Sequence, residues 1–324
     1  GGCLILIRRA NGELLAIDGR EMAPGKAHRD LYIRNGKLDI EASQTGPLAA
    51  AVPGALAAYD AALSKAGKRN LAAALLPAAK IAEDGFAIDR IYAGKIASTA
   101  ESISKFPETR RILMKPDGTP LREGDTLKQA DLAKTYRGVA EQGIAWFYRG
   151  PVAKTIAAWM AAEGGIMTEQ DFANYEVRHR EPLRTKYRGH DIIGFPPPSS
   201  GGVHVAQMLN MLEGYELRKF GPGSTEYVHR FIEAKKLAFA DRAKFYADPA
   251  FGKLPTTELI SKPYGNQRRQ LIVADRALTD VPSGDPKLER SDMIYLTVID
   301  KDRNCCSLIQ SVYYGFGSQV VPGD

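Results

Sequence analysis

Ser291 to Asp324 reads SDMIYLTVIDKDRNCCSLIQSVYYGFGSQVVPGD, and the fold assignment turns on this stretch. Met293 to Ile299 is a run of apolar and β-branched residues, the pattern of a strand apolar on both faces. Asp300-Lys301-Asp302-Arg303-Asn304 supplies turn residues, and Cys305 to Val312 is a second apolar run, so the stretch predicts a β-hairpin. After it, Gly315-Phe316-Gly317-Ser318 is a glycine-punctuated loop in which backbone can come close to a ligand.

The other end of the chain has a similar pattern. Cys3 to Ile7 and Glu13 to Ile17 are apolar runs around Asn11-Gly12, which predicts a hairpin closed by a type I′ turn. Between the two hairpins the spacing is mostly helical. Ala55 to Ala66 is an alanine-rich helix ended by Gly67, followed by helical stretches over Leu71–Glu83, Asp89–Ser104, Gln129–Gln142 and Val152–Glu163. Thr168 is the candidate N-cap of a helix start at Thr168-Glu169-Gln170-Asp171. Val177–Lys186 and His190–Phe195 read as strands split by Arg188-Gly189; helices over Val203–Leu212 and Thr225–Tyr246 follow, then an irregular segment, Lys253–Arg290. Hairpins at the ends with helices between them predict an α+β protein. Strands apolar on both sides require cover on both faces, as stacked sheets flanked by helices would give.

Composition narrows the function classes. The 324 residues are 44% hydrophobic and 25% charged, ordinary for a globular chain. No run of about 18 apolar residues is present, so no membrane-spanning helix is predicted. The net charge of +6 comes from 44 basic and 38 acidic residues. The basic residues fall in scattered pairs such as Arg8-Arg9 and Lys235-Lys236, which argues against nucleic acid as a partner. Cys3, Cys305 and Cys306 form no disulfide framework, and the neighbours Cys305 and Cys306, on opposite faces of a strand, read as small buried residues. His28, His179, His190, His204 and His229 lack metal-ligand spacing, and no GxGxxG or Walker loop occurs, so no cofactor is expected. Both ends of the sequence read as cut from a longer protein.

Several segments resemble γ-glutamyltranspeptidases (glutathione hydrolases) of the Ntn-hydrolase superfamily, in family order and over nearly the whole chain. They are Asp18-Gly19-Arg20-Glu21-Met22-Ala23-Pro24, Ala51-Val52-Pro53-Gly54, Gly143 through Phe147-Tyr148-Arg149-Gly150, Pro196 to Gly202, Ala238-Phe239-Ala240-Asp241-Arg242, Tyr246-Ala247-Asp248-Pro249 and the terminal hairpin. The resemblance implies a four-layer αββα sandwich, incomplete at both ends. It also implies one partial catalytic domain over 1–324, with 1–292 like the large subunit and 293–324 like the start of the small one. The implied reaction is transfer of a γ-glutamyl group from glutathione or a related amide to water or an amino acid. Intact relatives would be heterodimers of self-cleaved halves, periplasmic or secreted.

In that family a threonine freed by self-cleavage opens the first strand of the small subunit, and here the position falls on Met293. An N-terminal threonine supplies both the attacking hydroxyl and the amine that takes its proton. A thioether supplies neither, and it cannot perform the acyl shift of self-cleavage. Ser291 and Thr297 share the strand face of Met293 but stand ~7 Å and ~13 Å away along it, too far to substitute. By resemblance Arg20 grips the substrate α-carboxylate, Ser311 orients the nucleophile's amine, and Tyr313 stands where many members carry a substrate-contacting asparagine. From the residues alone, Arg20 reads rather as the partner of Glu21 or Asp18 at a hairpin exit. Ser199-Ser200-Gly201-Gly202 reads either as an anion-binding helix start or as a helix cap. Asp241-Arg242 reads as an intramolecular salt bridge. The expectation is an uncleaved, inactive relative; a γ-glutamyl-binding pseudoenzyme and an Ntn amidase for β-lactam side chains stay open.

Overall fold

The structure, a computed structural model, describes residues 1–279, 281 and 294–322. Both end hairpins form, and they share a sheet. Strands β1 (Gly2–Arg8), β2 (Leu14–Gly19), β3 (Arg178–Arg180), β4 (Leu183–Tyr187), β5 (His190–Gly194), β6 (Ile294–Ile299) and β7 (Cys305–Ser311) are the longer strands. Five of them make one sheet in the order β6-β7-β1-β2-β3, so the two ends of the sequence meet. β7 runs antiparallel to both neighbours, with Ile294 opposite Gln310 and Ser311 opposite Gly2.

The first hairpin turns differently from the expectation. Of Asn11 and Gly12 only the glycine takes a positive φ, 90°, and its N–H donates to the Arg9 carbonyl at 2.9 Å. The five-residue loop therefore contains a β-turn centred on Ala10 and Asn11, neither at positive φ, and not a two-residue type I′ loop. The physical reason is tertiary: Ala10 N–H donates to the Asn304 side chain at 2.7 Å, tying this turn to that of the last hairpin. Around Asn304, Asp300 accepts from the N–H groups of Asp302 (3.0 Å) and Asn304 (2.9 Å), which fixes the turn.

Cover on both faces of the last hairpin is not realised among the described residues. β6 pairs with β7, and Ile294, Tyr295 and Ile299 remain 69%, 64% and 65% exposed. Cys305 and Cys306 are only half-buried, whereas Cys3 on β1 is buried. A strand apolar on both faces is suited to burial, but the covering layer must come from elsewhere in the fold.

The described residues divide into two compact units. One comprises Gly1–Gly12, Ile17–His179 and the described part of Ser291–Asp324; the other comprises Glu13–Ala16 and the described part of Arg180–Arg290. In the first, helices α1 (Ala55–Ala66), α2 (Leu71–Asp84), α3 (Arg90–Ile103), α4 (Ala130–Gln142) and α5 (Pro151–Ala162) supply the core. Helix α2 shows why the spacing reads as helix. Leu71, Leu75, Ala79 and Ala82 are buried on one stripe, Asn70 caps the first turn by accepting from Ala73 N–H, and Pro77 sits on the exposed side. Thr168 caps Glu169–Ala173 with Asp171 completing a capping box. The main core gathers Val52, Tyr148, Met160, Phe172 and Tyr175. No helix among the described residues is long and apolar enough to cross a membrane.

In the second unit, α6 (Gly201–Leu212), α7 (Thr225–Phe245) and α8 (Lys262–Arg269) pack with the β4–β5 hairpin, whose turn is made by Arg188 and Gly189 at positive φ. The salt bridge expected within Asp241-Arg242 does not form. Asp241, 3% exposed, accepts from Gln207 on α6 at 2.8 Å and pairs with Arg268 on α8 at 3.0 Å. Consecutive helical residues point about 100° apart, so Arg242 turns away and lies beside the Phe239 ring. Ser200 makes no side-chain cap at the start of α6. Gly202 is required there because a Cβ would meet the Phe195 backbone and lie 3.1 Å from the Gly194 carbonyl carbon.

His204 on α6 is 7% exposed and stacks on Phe239 at 4.8 Å. Burial, helped by the Arg242 charge, lowers its pKa from 6.5 to about 4. The folded chain therefore favours the neutral ring. This contribution is present above the ordinary value and is lost as the pH falls from 6.5 towards 4. Thermal melting should show a loss on the order of 3 kcal/mol over that window, and His204→Gln should flatten the pH dependence there.

Candidate active site

Four strand ends meet at one end of the five-stranded sheet. Ile294 opens β6 opposite Gln310, Ser311 closes β7, Gly2 opens β1 opposite Ser311, and Gly19 closes β2. Gly2 makes the close approach possible. A Cβ on it would lie 3.1 Å from Arg20 Cα and 3.0 Å from Glu21 N, and would collide with the Glu21 carboxylate. Arg20 and Glu21 therefore stand one strand away from Ser311.

The backbone of Arg20 is held from both sides, while its side chain is exposed. Its N–H donates to Asp18 Oδ1 at 3.0 Å, and its carbonyl accepts from the Tyr175 hydroxyl at 2.9 Å. Just beyond, Met22 and Val52 exchange two backbone hydrogen bonds (3.1 and 2.9 Å), and Gly25 N–H donates to Asp171 at 2.7 Å. Asp18, itself 4% exposed, thus takes the arginine's N–H, and among the described residues no carboxylate pairs with the Arg20 guanidinium. The ion-pair reading with Asp18 or Glu21 is not realised. A planar fork of donors facing solvent beside a strand end suits a bidentate carboxylate.

Three of the motif segments, 18–24, 51–54 and 143–150, converge behind this arginine. Gly54 follows Pro53, and a Cβ there would collide with both the Tyr175 hydroxyl and the Gly19 carbonyl. Tyr148 donates to the Pro53 carbonyl at 2.8 Å and stacks on Tyr175 at 5.6 Å, 12° from parallel. Burial raises the pKa of both phenols well above their usual range, so both remain protonated donors. Sequence reasoning singled out Gly54 and Tyr148 only as parts of motifs and missed Tyr175. No spacing rule points to a phenol whose partner is a backbone carbonyl 155 residues away.

On the β7 side, Ser311 Oγ accepts from Tyr313 N–H at 2.8 Å. Tyr313 takes φ 74° and is 59% exposed, its ring edge-on to Tyr314 at 4.8 Å. A left-handed φ suits asparagine and costs a bulky residue roughly 1–2 kcal/mol. Tyr314 accepts from Gln44 at 3.0 Å, Phe316 lies edge-on to Tyr92 at 5.7 Å, and Gly46 N–H donates to Ser318 at 2.8 Å. The glycine-punctuated loop is thus docked on the first unit. Ser291 and Met293 lie outside the described residues, and Thr297 sits in β6 opposite Ser307. Ser199 to Gly202 belong to the second unit.

A family model described as Gamma-glutamyltranspeptidase matches residues 1–324. The chain belongs to the γ-glutamyltranspeptidase family. Its mixed α/β fold is consistent with the Ntn-hydrolase superfamily, which includes this family. It is 37% identical over 328 residues to the glutathione hydrolase proenzyme of Escherichia coli (strain K12), covering 100% of this chain and 57% of the relative. It is 41% identical over 332 residues to the acylase ACY 1 proenzyme of Pseudomonas sp. (strain V22), covering 100% and 59%. The chain therefore spans under two thirds of the length of these relatives. Among solved structures, Helicobacter pylori γ-glutamyltranspeptidase superposes with TM-score 0.85 at 36% identity, over 89% of this chain and 84% of that one. Cephalosporin acylase from Bacillus halodurans gives TM-score 0.83 at 29% identity, over 99% and 58%.

Proposed function

We propose that this chain binds the γ-glutamyl group of glutathione or a related amide, with Arg20 on the α-carboxylate, and that Met293 leaves it uncleaved and without turnover. The observation that carries the reading is Arg20: its backbone is held just past the end of β2, with β1 between it and Ser311, and its guanidinium is exposed and unpaired among the described residues. In this reading 1–292 corresponds to a large subunit and 293–324 to the start of a small one, within a four-layer αββα sandwich that full-length relatives complete. Ser311 would hold the amine of a threonine at 293, and Tyr313 would border the glutamyl group. A periplasmic or secreted location and a heterodimer of cleaved halves follow from the same family reading.

The test is chemical. The chain should keep its intact mass on prolonged incubation and release no product from a γ-glutamyl anilide. Met293→Thr, joined to the C-terminal part that the relatives carry, should split before residue 293 and turn over the anilide. Absence of both events in that variant rejects the enzyme lineage of the site.

A second reading has one observation in its favour: identity to the acylase ACY 1 proenzyme, 41%, exceeds the 37% to the E. coli glutathione hydrolase proenzyme. The donor would then be an amide such as a β-lactam side chain. Profiling acyl donors with the restored variant decides between them, a preference for non-glutamyl donors selecting the second.

A further inference from the structure

We infer that Tyr175, braced by Tyr148, is a positioning residue that sets the orientation of Arg20 towards a bound α-carboxylate; this rests on the substrate reading of Arg20 above. The Arg20 side chain is exposed and has no carboxylate partner among the described residues, so side-chain contacts do not fix its direction. Its backbone sets where the guanidinium starts. That backbone is gripped by the Asp18 carboxylate on the N–H and by the Tyr175 hydroxyl on the carbonyl. The first grip is local, two residues away. Among the described residues the second alone ties Arg20 directly to the helical core, because Phe172 and Tyr175 belong to the same buried cluster as Val52 and Tyr148.

Tyr175 is well suited to hold a fixed point. It is 7% exposed, its ring lies nearly parallel to that of Tyr148, and Tyr148 is itself anchored by donating to Pro53 and accepting from Ala57 N–H at 3.3 Å. A phenol has two side-chain torsions, so stacking leaves its hydroxyl little freedom. Gly54 has no side chain at the point where that hydroxyl and the Gly19 carbonyl meet it, which keeps the passage to Arg20 open. A displacement of under an ångström at the arginine would spoil a bidentate geometry, so a residue that never touches the ligand controls its affinity.

The experiment uses Tyr175→Phe in the full chain, with glutathione as the probe in calorimetry. The isosteric ring keeps the stack and removes only the donor. The expected result is about a three- to tenfold loss of affinity, the scale of one hydrogen bond. In an Arg20→Lys background, where no bidentate fork remains to be aimed, Tyr175→Phe should cost less than about twofold. Hydrogen exchange supplies a readout without ligand: amides of residues 17–24 should exchange faster in Tyr175→Phe, with the melting temperature nearly unchanged. Unchanged exchange, or an equal loss of affinity in both arginine backgrounds, overturns the positioning role. Absence of glutathione binding by the unsubstituted chain overturns the substrate reading instead, and the exchange data tell the two failures apart.

Discussion

Arg20→Ala should abolish measurable binding of glutathione by this chain, a loss of at least about thirtyfold, while leaving the fold intact. The size follows from chemistry: a charge-assisted bidentate pair exceeds a neutral hydrogen bond roughly twofold, and truncation leaves the ligand's carboxylate without its partner. The harmlessness to folding follows from the structure. The contacts that hold this segment, Asp18 to the Arg20 N–H and Tyr175 to its carbonyl, are made to main-chain atoms that alanine also has. The side chain is exposed, so its removal should shift stability by no more than about 0.5 kcal/mol. Arg20→Lys should fall between the two, keeping charge and losing the fork. Calorimetry with glutathione, paired with thermal melting, checks both halves. Unaltered affinity in Arg20→Ala would remove the arginine from the site.

Asp241→Ala should be the most damaging of the single substitutions considered, at about 3–5 kcal/mol, the usual cost of breaking a buried ion pair. Asp241 is 3% exposed, and its removal takes the carboxylate from the Arg268 guanidinium, which keeps its bond to the Leu237 carbonyl, and strands the Gln207 amide donor between the helices. Burial outweighs these partners and pushes the Asp241 carboxyl above its ordinary pKa, so the charge is held at a cost that its partners only partly offset. Arg242→Ala provides the contrast. That arginine lies beside Phe239 at 5.8 Å and should contribute no more than about 1 kcal/mol. Denaturant melts of both variants separate partnership in space from adjacency in sequence. Comparable losses would restore the Asp241-Arg242 pairing that the sequence suggests.

How legible was the site? Helix bounds were legible where caps and periodicity agree: Ala55–Ala66 before Gly67 matches the structure, and Thr168 caps its helix as expected. The hairpins at the two ends were legible from continuous apolar runs and turn chemistry. That they are neighbours in one sheet was not, because strand patterning states which residues want a partner and not which partner they take. The same limit explains the first hairpin's turn. Asn11-Gly12 favours type I′ locally, yet the Asn304 contact to Ala10 N–H accompanies a different loop.

The linear order of residues fixes the chemical inventory of this protein. A thioether stands at position 293, a guanidinium at 20 and a hydroxyl at 311, and glycines at 2 and 54 permit close approach. Those are properties of side chains, and no folding alters them. The tertiary structure alone decides which groups meet: Arg20 with Tyr175, Asp241 with Arg268, and Gly2 between Ser311 and Glu21. The reason is range. Capping and turn preferences act over a few residues, whereas these contacts join segments brought together by burying apolar surface, which carries no label for the polar groups it delivers.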